Sequence, residues 1–214
     1  MRRAASLACT VGFAIFGLPA AGMANPVYTY TFETPNFTVG QTTPLLNMAP
    51  NIGPTTFLTS FTDPVNTNGF AISSSDNNSL MVNQALLEQT ATSALTLTFN
   101  MPVTSFTVDF AINSVLSPAG SLELVTSSGD DTVTAGSVAS GFPGGILSFT
   151  AVTPFTTATL RGFLASGAPT QIEIDNLALT PAPLAEPSTI ALFGVGAAFL
   201  FTWRRRKTRT PLSV

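Results

Sequence analysis

The chain predicts an all-β fold, an antiparallel β-sandwich, on three observations. Its 214 residues are rich in Phe, Leu, Val and Ile and equally in Thr, Ser, Gly, Pro and Asn, and only 9% are charged. That mix suits strands and turns. Apolar and polar residues alternate with a period of two in several short runs, and turn signals separate these runs at short intervals.

The elements follow in order. Val27 to Glu33 places Tyr28, Tyr30 and Phe32 on one inward face. Asn47–Pro64 lacks alternation and is expected to be a long loop. Gly69–Ser73 reads as a strand, and Leu80–Thr92 is the one candidate for a short helix. Leu95, Leu97 and Phe99 share a face, with Thr96 and Thr98 opposite; Phe106, Val108, Phe110 and Ile112 share another, with Thr107 and Asp109 outside. Further strands are expected at Ser121–Thr126, Asp131–Ala135, Ile146–Ala151, Phe155–Phe163 and Gln171–Thr180. The turns are Asn68-Gly69, Ser117-Pro118-Ala119-Gly120, Ser128-Gly129-Asp130-Asp131 and Phe142-Pro143-Gly144-Gly145.

The closing strand contains a phase slip. Ile172 and Ile174 share one phase and Leu177 and Leu179 the other, so a strict period of two cannot bury both pairs. A bulge at Asp175-Asn176 would restore the phase and turn the Asp175 carboxylate sideways.

Charge is partitioned along the chain. Of eight basic residues seven lie at the two ends, and Asn25–Pro187 holds Arg161 against eleven acids, a net charge of −10. Such a surface excludes nucleic acid as a partner, because phosphate recognition needs Lys/Arg clusters. It suits a soluble extracellular domain and divalent cations. The catalytic inventory is thin. There is no histidine, no lysine in the body, and the one cysteine, Cys9, lies near the N-terminus. Nucleophile–histidine and histidine–metal chemistries are therefore unavailable. The body is expected not to be an enzyme; a carboxylate-based glycoside hydrolase, needing only two facing acids, is the remaining enzymatic alternative.

Both ends carry targeting features. Arg2 and Arg3 precede an apolar stretch, Ala4–Leu18, and Gly22-Met23-Ala24 offers small residues to signal peptidase, so residues 1–24 read as a signal peptide for Sec export. At the other end Pro181–Ala185 is a Pro/Ala-rich linker, Glu186-Pro187-Ser188 follows, and Thr189–Trp203 carries no charge. At about 1.5 Å per residue that run spans about 23 Å, short of a hydrocarbon core of about 30 Å. Snorkelling of Arg204, Arg205, Arg206 and Lys207 and interfacial seating of Trp203 cover the deficit. The positive-inside rule puts residues 204–214 in the cytoplasm and the body, residues 25–180, across the membrane.

This three-part tail resembles the PEP-CTERM sorting signal of exported bacterial proteins, although Ala185 stands where the family usually has its first Pro. The resemblance implies recognition near Glu186-Pro187-Ser188 by an exosortase-type membrane transpeptidase, from a membrane-held intermediate, with delivery to the cell surface or the extracellular matrix. A plain membrane anchor is the alternative. The body resembles the jelly-roll domains of secreted carbohydrate-binding modules, through Phe32-Glu33 closing its first strand and Ile174-Asp175-Asn176-Leu177 in its last. The resemblance implies that these two strands are neighbours and that Glu33 and Asp175 bind a structural calcium; no other cofactor is expected. The function expected is a non-enzymatic structural or binding β-sandwich. The alternative is a carbohydrate-binding module for exopolysaccharide, which an exposed aromatic strip would favour. The body has no Trp and both Tyr face inward; a loop Phe such as Phe142 is the remaining aromatic candidate, and core packing is the expectation for each Phe.

Overall fold

The computed structural model describes residues 26–74, 83–113 and 120–183. The expected signal peptide (residues 1–24), Glu186-Pro187-Ser188, the apolar run 189–203 and the basic cluster lie outside these residues. Among the described residues no helix is long and apolar enough to cross a membrane.

The fold is all-β and antiparallel, with ten strands among the described residues: β1 (Tyr28–Tyr30), β2 (Leu45–Met48), β3 (Thr59–Thr62), β4 (Phe70–Ser73), β5 (Ala85–Glu88), β6 (Leu95–Ile112), β7 (Ser121–Thr126), β8 (Gly129–Thr134), β9 (Gly144–Phe163) and β10 (Ile172–Pro181). The main path runs β4-β5-β10-β6-β9-β7-β8, with β1 added on β10 and β2-β3 added on β6.

Two long strands tie the layers together. β6 has 18 residues and β9 has 20, and each replaces two shorter strands expected from the sequence. Their mutual register slips between Thr98 and Val103 and again before Ser105. Such irregularities let a strand bend without ending. The first half of β6 pairs with β3, and the second half pairs with β10. The second half of β9 pairs with β7. One layer is thus β4-β5-β10, with β1 and the ends of β6 and β9 nearest Ile112 and Gly144. The other is β2-β3, the remaining halves of β6 and β9, then β7 and β8. Leu95, Leu97 and Phe99 from one half of β6 and Phe106, Val108 and Phe110 from the other enter a single core. Tyr30, Phe32, Phe37 and Phe61 fill its middle edge to face, at centroid separations such as 5.2 Å for Phe32–Phe37 and 5.5 Å for Tyr30–Phe61. Tyr28 and Tyr30 face inward, as expected.

Two expectations are corrected. The short helix at Leu80–Thr92 is replaced by β5, which has β4 on one side and β10 on the other. Ladder bonds on both edges override local helix propensity. The loop at Asn47–Pro64 contains the end of β2 and all of β3, where Thr59 and Phe61 are buried in alternation with Ser60 and Thr62.

The slip in the closing strand takes the expected form. β10 opposes Asp175 to Asp109 and next Ala178 to Thr107, three residues against two, and Asn176 adopts φ 49°. The extra residue puts Ile172, Ile174, Leu177 and Leu179 all in the core.

Candidate functional site

Polar groups collect at the bulge. β1 and β10 are neighbours, Tyr30 facing Leu177, so the resemblance-based expectation of adjacent first and last strands holds. Beyond β1 the backbone turns at Phe32, which is fully buried with φ 55°, a conformation held by its ring contacts with Phe37 and Phe61. The turn presents Glu33, whose Oε1 accepts the Gln84 backbone N–H at 3.0 Å. Gln84 immediately precedes β5, where Leu86 pairs with Ile174. Continued by one step, that ladder sets Ala85 opposite Asp175. The fold therefore brings Glu33 and Asp175 to the same junction of β1, β5 and β10.

Asp175 is 1% exposed, and its Oδ1 accepts the Asn176 N–H at 2.7 Å. The Asn176 amide donates to Asp109 Oδ2 at 3.0 Å. Burial raises the Asp109 pKa, and that hydrogen bond partly offsets the rise. The Gln84 Oε1 at this junction is buried with no hydrogen-bond partner. An orphaned acceptor on the residue whose backbone N–H binds Glu33 fits a hard cation, which takes oxygen ligands from carboxylates, amides and backbone carbonyls. Among the described residues no group of three or more His, Cys, Asp or Glu is gathered as a metal cluster, so a cation here would depend on Gln84 and carbonyl oxygens.

A second such place is a cavity of about 160 Å³ on the outer face of the β5-β10-β6 layer. Its floor follows from register: Glu173 lies opposite Leu87 on one side and Ala111 on the other. Ala111 is small, so the floor is recessed. Phe142, in the turn before β9, packs on Ala85 and Ala111 and forms a wall. Three carboxamides line the rest. Asn113 Nδ2 donates to Gln171 Oε1 at 2.7 Å, and Gln171 Nε2 donates to the Gln89 carbonyl at 2.9 Å. Glu173 is 2% exposed. Sequence reasoning named Phe142 but missed the rest of this site, because its residues come from four separate segments. The available signal was a small Ala at the outward position beside Asp109.

Glu88 borders the same cavity, but its carboxylate accepts the Ser93 and Ile172 N–H groups at 3.0 and 2.9 Å. Burial pushes its pKa up to about 8, against the pull of those two donors, and the nearby Asp63 adds to the rise. Asp130 and Asp131 sit at the β7-β8 hairpin, bonded to the backbone N–H groups of Thr126 and Thr132, as solvated turn residues.

These features define an all-β domain followed by a sorting tail. Residues 186–207 match the PEP-CTERM protein-sorting motif, which covers Glu186, Pro187, Ser188 and the basic cluster. No curated protein matches the chain. Among solved structures, the chain is similar to a CBM29-2 mutant of the family 29 carbohydrate-binding modules complexed with mannohexaose. The identity is 14%, with 74% of this chain and 93% of that chain covered and a TM-score of 0.34. A second CBM29-2 mutant matches at 15% identity, over 77% of this chain and 100% of the other, with a TM-score of 0.35. The catalytic domain of a GH87 α-1,3-glucanase in complex with nigerose matches at 10% identity and a TM-score of 0.34, over 60% of this chain and 29% of that one. Identities and TM-scores this low leave the chain's own residues to carry any functional reading.

Proposed function

We propose that the chain is an exported, non-enzymatic β-sandwich protein, displayed at the cell surface or released into the matrix after exosortase-type processing of its tail. The observation that carries this reading is the sorting motif at 186–207, directly behind a single all-β body without histidine or lysine. Sec export and removal of residues 1–24 by signal peptidase belong to the same reading. Intact-mass measurement of the native protein tests it: the mass should begin at Asn25 and lack the segment beyond Ser188. A mass that retains Arg204–Val214 would leave a plain membrane anchor.

A second reading, carbohydrate binding, is favoured by the cavity that combines Phe142, three carboxamides and Glu173. It is favoured over hydrolysis because Glu88, the other acid bordering the cavity, is committed to two backbone donors rather than facing Glu173. Titration of the protein with neutral oligosaccharides tests this reading. A structural calcium ion held by Glu33, Asp175 and Gln84 Oε1 would pin the three strands at their junction. Its support is the orphaned Gln84 oxygen.

A further inference from the structure

We infer that the cavity beside Glu173 takes the neutral terminal unit of a glycan end-on, and turns away terminal units that carry a carboxylate or sulfate. The inference rests on the carbohydrate-binding reading above.

Size comes first. Ligand pockets for drug-sized molecules run to about 300 Å³ and more, and this one holds about 160 Å³. It accommodates one small ring rather than a length of chain. Gripping a chain along its length would call for aromatic side chains laid out on an open surface. Among the described residues the large exposed apolar side chains are aliphatic: Val27, Val39, Leu46, Ile52, Val65, Ile146 and Val152. The one aromatic ring near the amides, Phe142, forms a wall of a recess.

The lining chemistry matches a sugar. The Phe142 ring can take the C–H face of a pyranose. Gln171 is fixed by Asn113 on one side and Gln89 on the other, so its amide is already oriented before any ligand arrives. The Glu173 carboxylate accepts hydroxyl protons in charge-assisted hydrogen bonds.

Charge sets the selectivity. Among the described residues no basic side chain lines the cavity. The body's single cation, Arg161, lines a different cavity with Val65, Ser93 and Phe163. Asp109 and Asp175 pair on the same outer face as Glu173, one step further along β10. An anionic sugar would be buried among acids with no cation to compensate its charge.

The test titrates the full chain in detergent with three probes at low and high salt. They are a neutral gluco-oligosaccharide, the same chain ending in glucuronate, and the neutral chain with its terminal unit blocked. The neutral probe should bind, and the glucuronate and blocked probes should bind at least tenfold more weakly. High salt and Glu173→Gln should each narrow the glucuronate gap. Phe142→Ala should abolish binding while the protein still melts cooperatively. Equal binding of the glucuronate or the blocked probe overturns the inference and leaves the carbohydrate reading standing. No binding of any probe overturns both. If Glu173→Gln fails to fold, the salt and blocked-end comparisons still decide.

Discussion

β6 contributes to the outer faces of both layers, and the two faces differ in kind. Its first half presents Thr96 and Thr98. These lie in register with Thr62 and Ser60 on β3 and with Thr159 and Thr157 on β9. The result is two rows of three hydroxyl side chains. They bond among themselves and to the ladder, with Thr96 Oγ1 3.4 Å from Thr159 Oγ1 and Thr62 Oγ1 donating to the Thr96 carbonyl at 3.3 Å. Its second half presents Thr107, Asp109 and Ala111, opposite Ala178, Asp175 and Glu173. Like side chains in unbroken register make a flat, self-satisfied surface. Acids set against small residues, next to a bulge, make a recess with charge at its floor.

The largest expected effect tests the bulge that separates the faces. Deleting Asn176 should remove the extra residue and turn either the Ile172/Ile174 pair or the Leu177/Leu179 pair out of the core. Losing two buried aliphatic side chains costs about 5 kcal/mol or more. Chemical denaturation should therefore find the deletion unfolded or nearly so, and a loss under about 1 kcal/mol would mean that register is fixed elsewhere.

Next comes pH. Glu88, at the edge of the acid-bearing layer, ionises near pH 8 when folded and near 4.5 when unfolded. Between those values the folded chain holds a proton that the unfolded chain releases. Stability should therefore fall as pH rises from about 4.5 to 8 and level off above, by at most about 1.4 kcal/mol per pH unit. Burial of Asp109 acts in the same direction. Glu88→Gln should flatten the slope, at the cost of a hydrogen bond, since its NH₂ is a donor and cannot replace the carboxylate oxygen that accepts from Ser93 or Ile172. Urea melts across pH 5 to 9 decide, and a slope unchanged by Glu88→Gln would assign it to other acids.

Calcium should distinguish the junction from the hydroxyl face. At a hundredfold excess over its dissociation constant, a ligand that binds only the folded state adds about 2.7 kcal/mol. Each such kcal/mol corresponds to about 2–4 °C in a domain of this size. Asp175→Ala should abolish the calcium-dependent rise in melting temperature and Glu33→Ala should weaken it, with magnesium less effective because it demands rigid octahedral geometry. Identical melts with calcium and with chelator would leave the two carboxylates as bulge and turn residues.

The smallest effect is expected on the hydroxyl face. Thr98→Val and Thr157→Val should each change stability by no more than about 0.5 kcal/mol, because both side chains are exposed and solvated. A larger loss in thermal melts would show that the rows act as a cooperative network.

How much of this was legible in the sequence depends on the range of the signal. The bulge could be read because the conflicting phases of Ile174 and Leu177 lie within one strand. The boundaries of β7 could be read because Ser121–Thr126 alternates between turns. β5 could not, because Ala85–Glu88 buries three of its four residues and has no single polar face to display a period. β3 was hidden by its length of four residues. The fusion of strands within β6 and β9 depends on a bend across Pro102 and Pro154, and proline ordinarily signals an end. The neighbouring of the first and last strands rested on a resemblance, and the β1-β10 pairing agrees with it. The cavity depends on register between β5, β10 and β6, which no local pattern encodes.

The β1-β10 pairing also has a mechanical consequence. The tail leaves the body from the end of β10, so any pull from the membrane side loads that strand along its axis. β10 is bonded to β6 along most of its length and, on its other edge, to β1 near the exit and to β5 further in. Force applied in that direction strains many ladder bonds together in shear instead of peeling them one at a time. Glu173 lies eight residues from Pro181, about 26 Å at about 3.3 Å per residue. A body tethered by its tail would thus hold the cavity near the end of β10 remote from the tether.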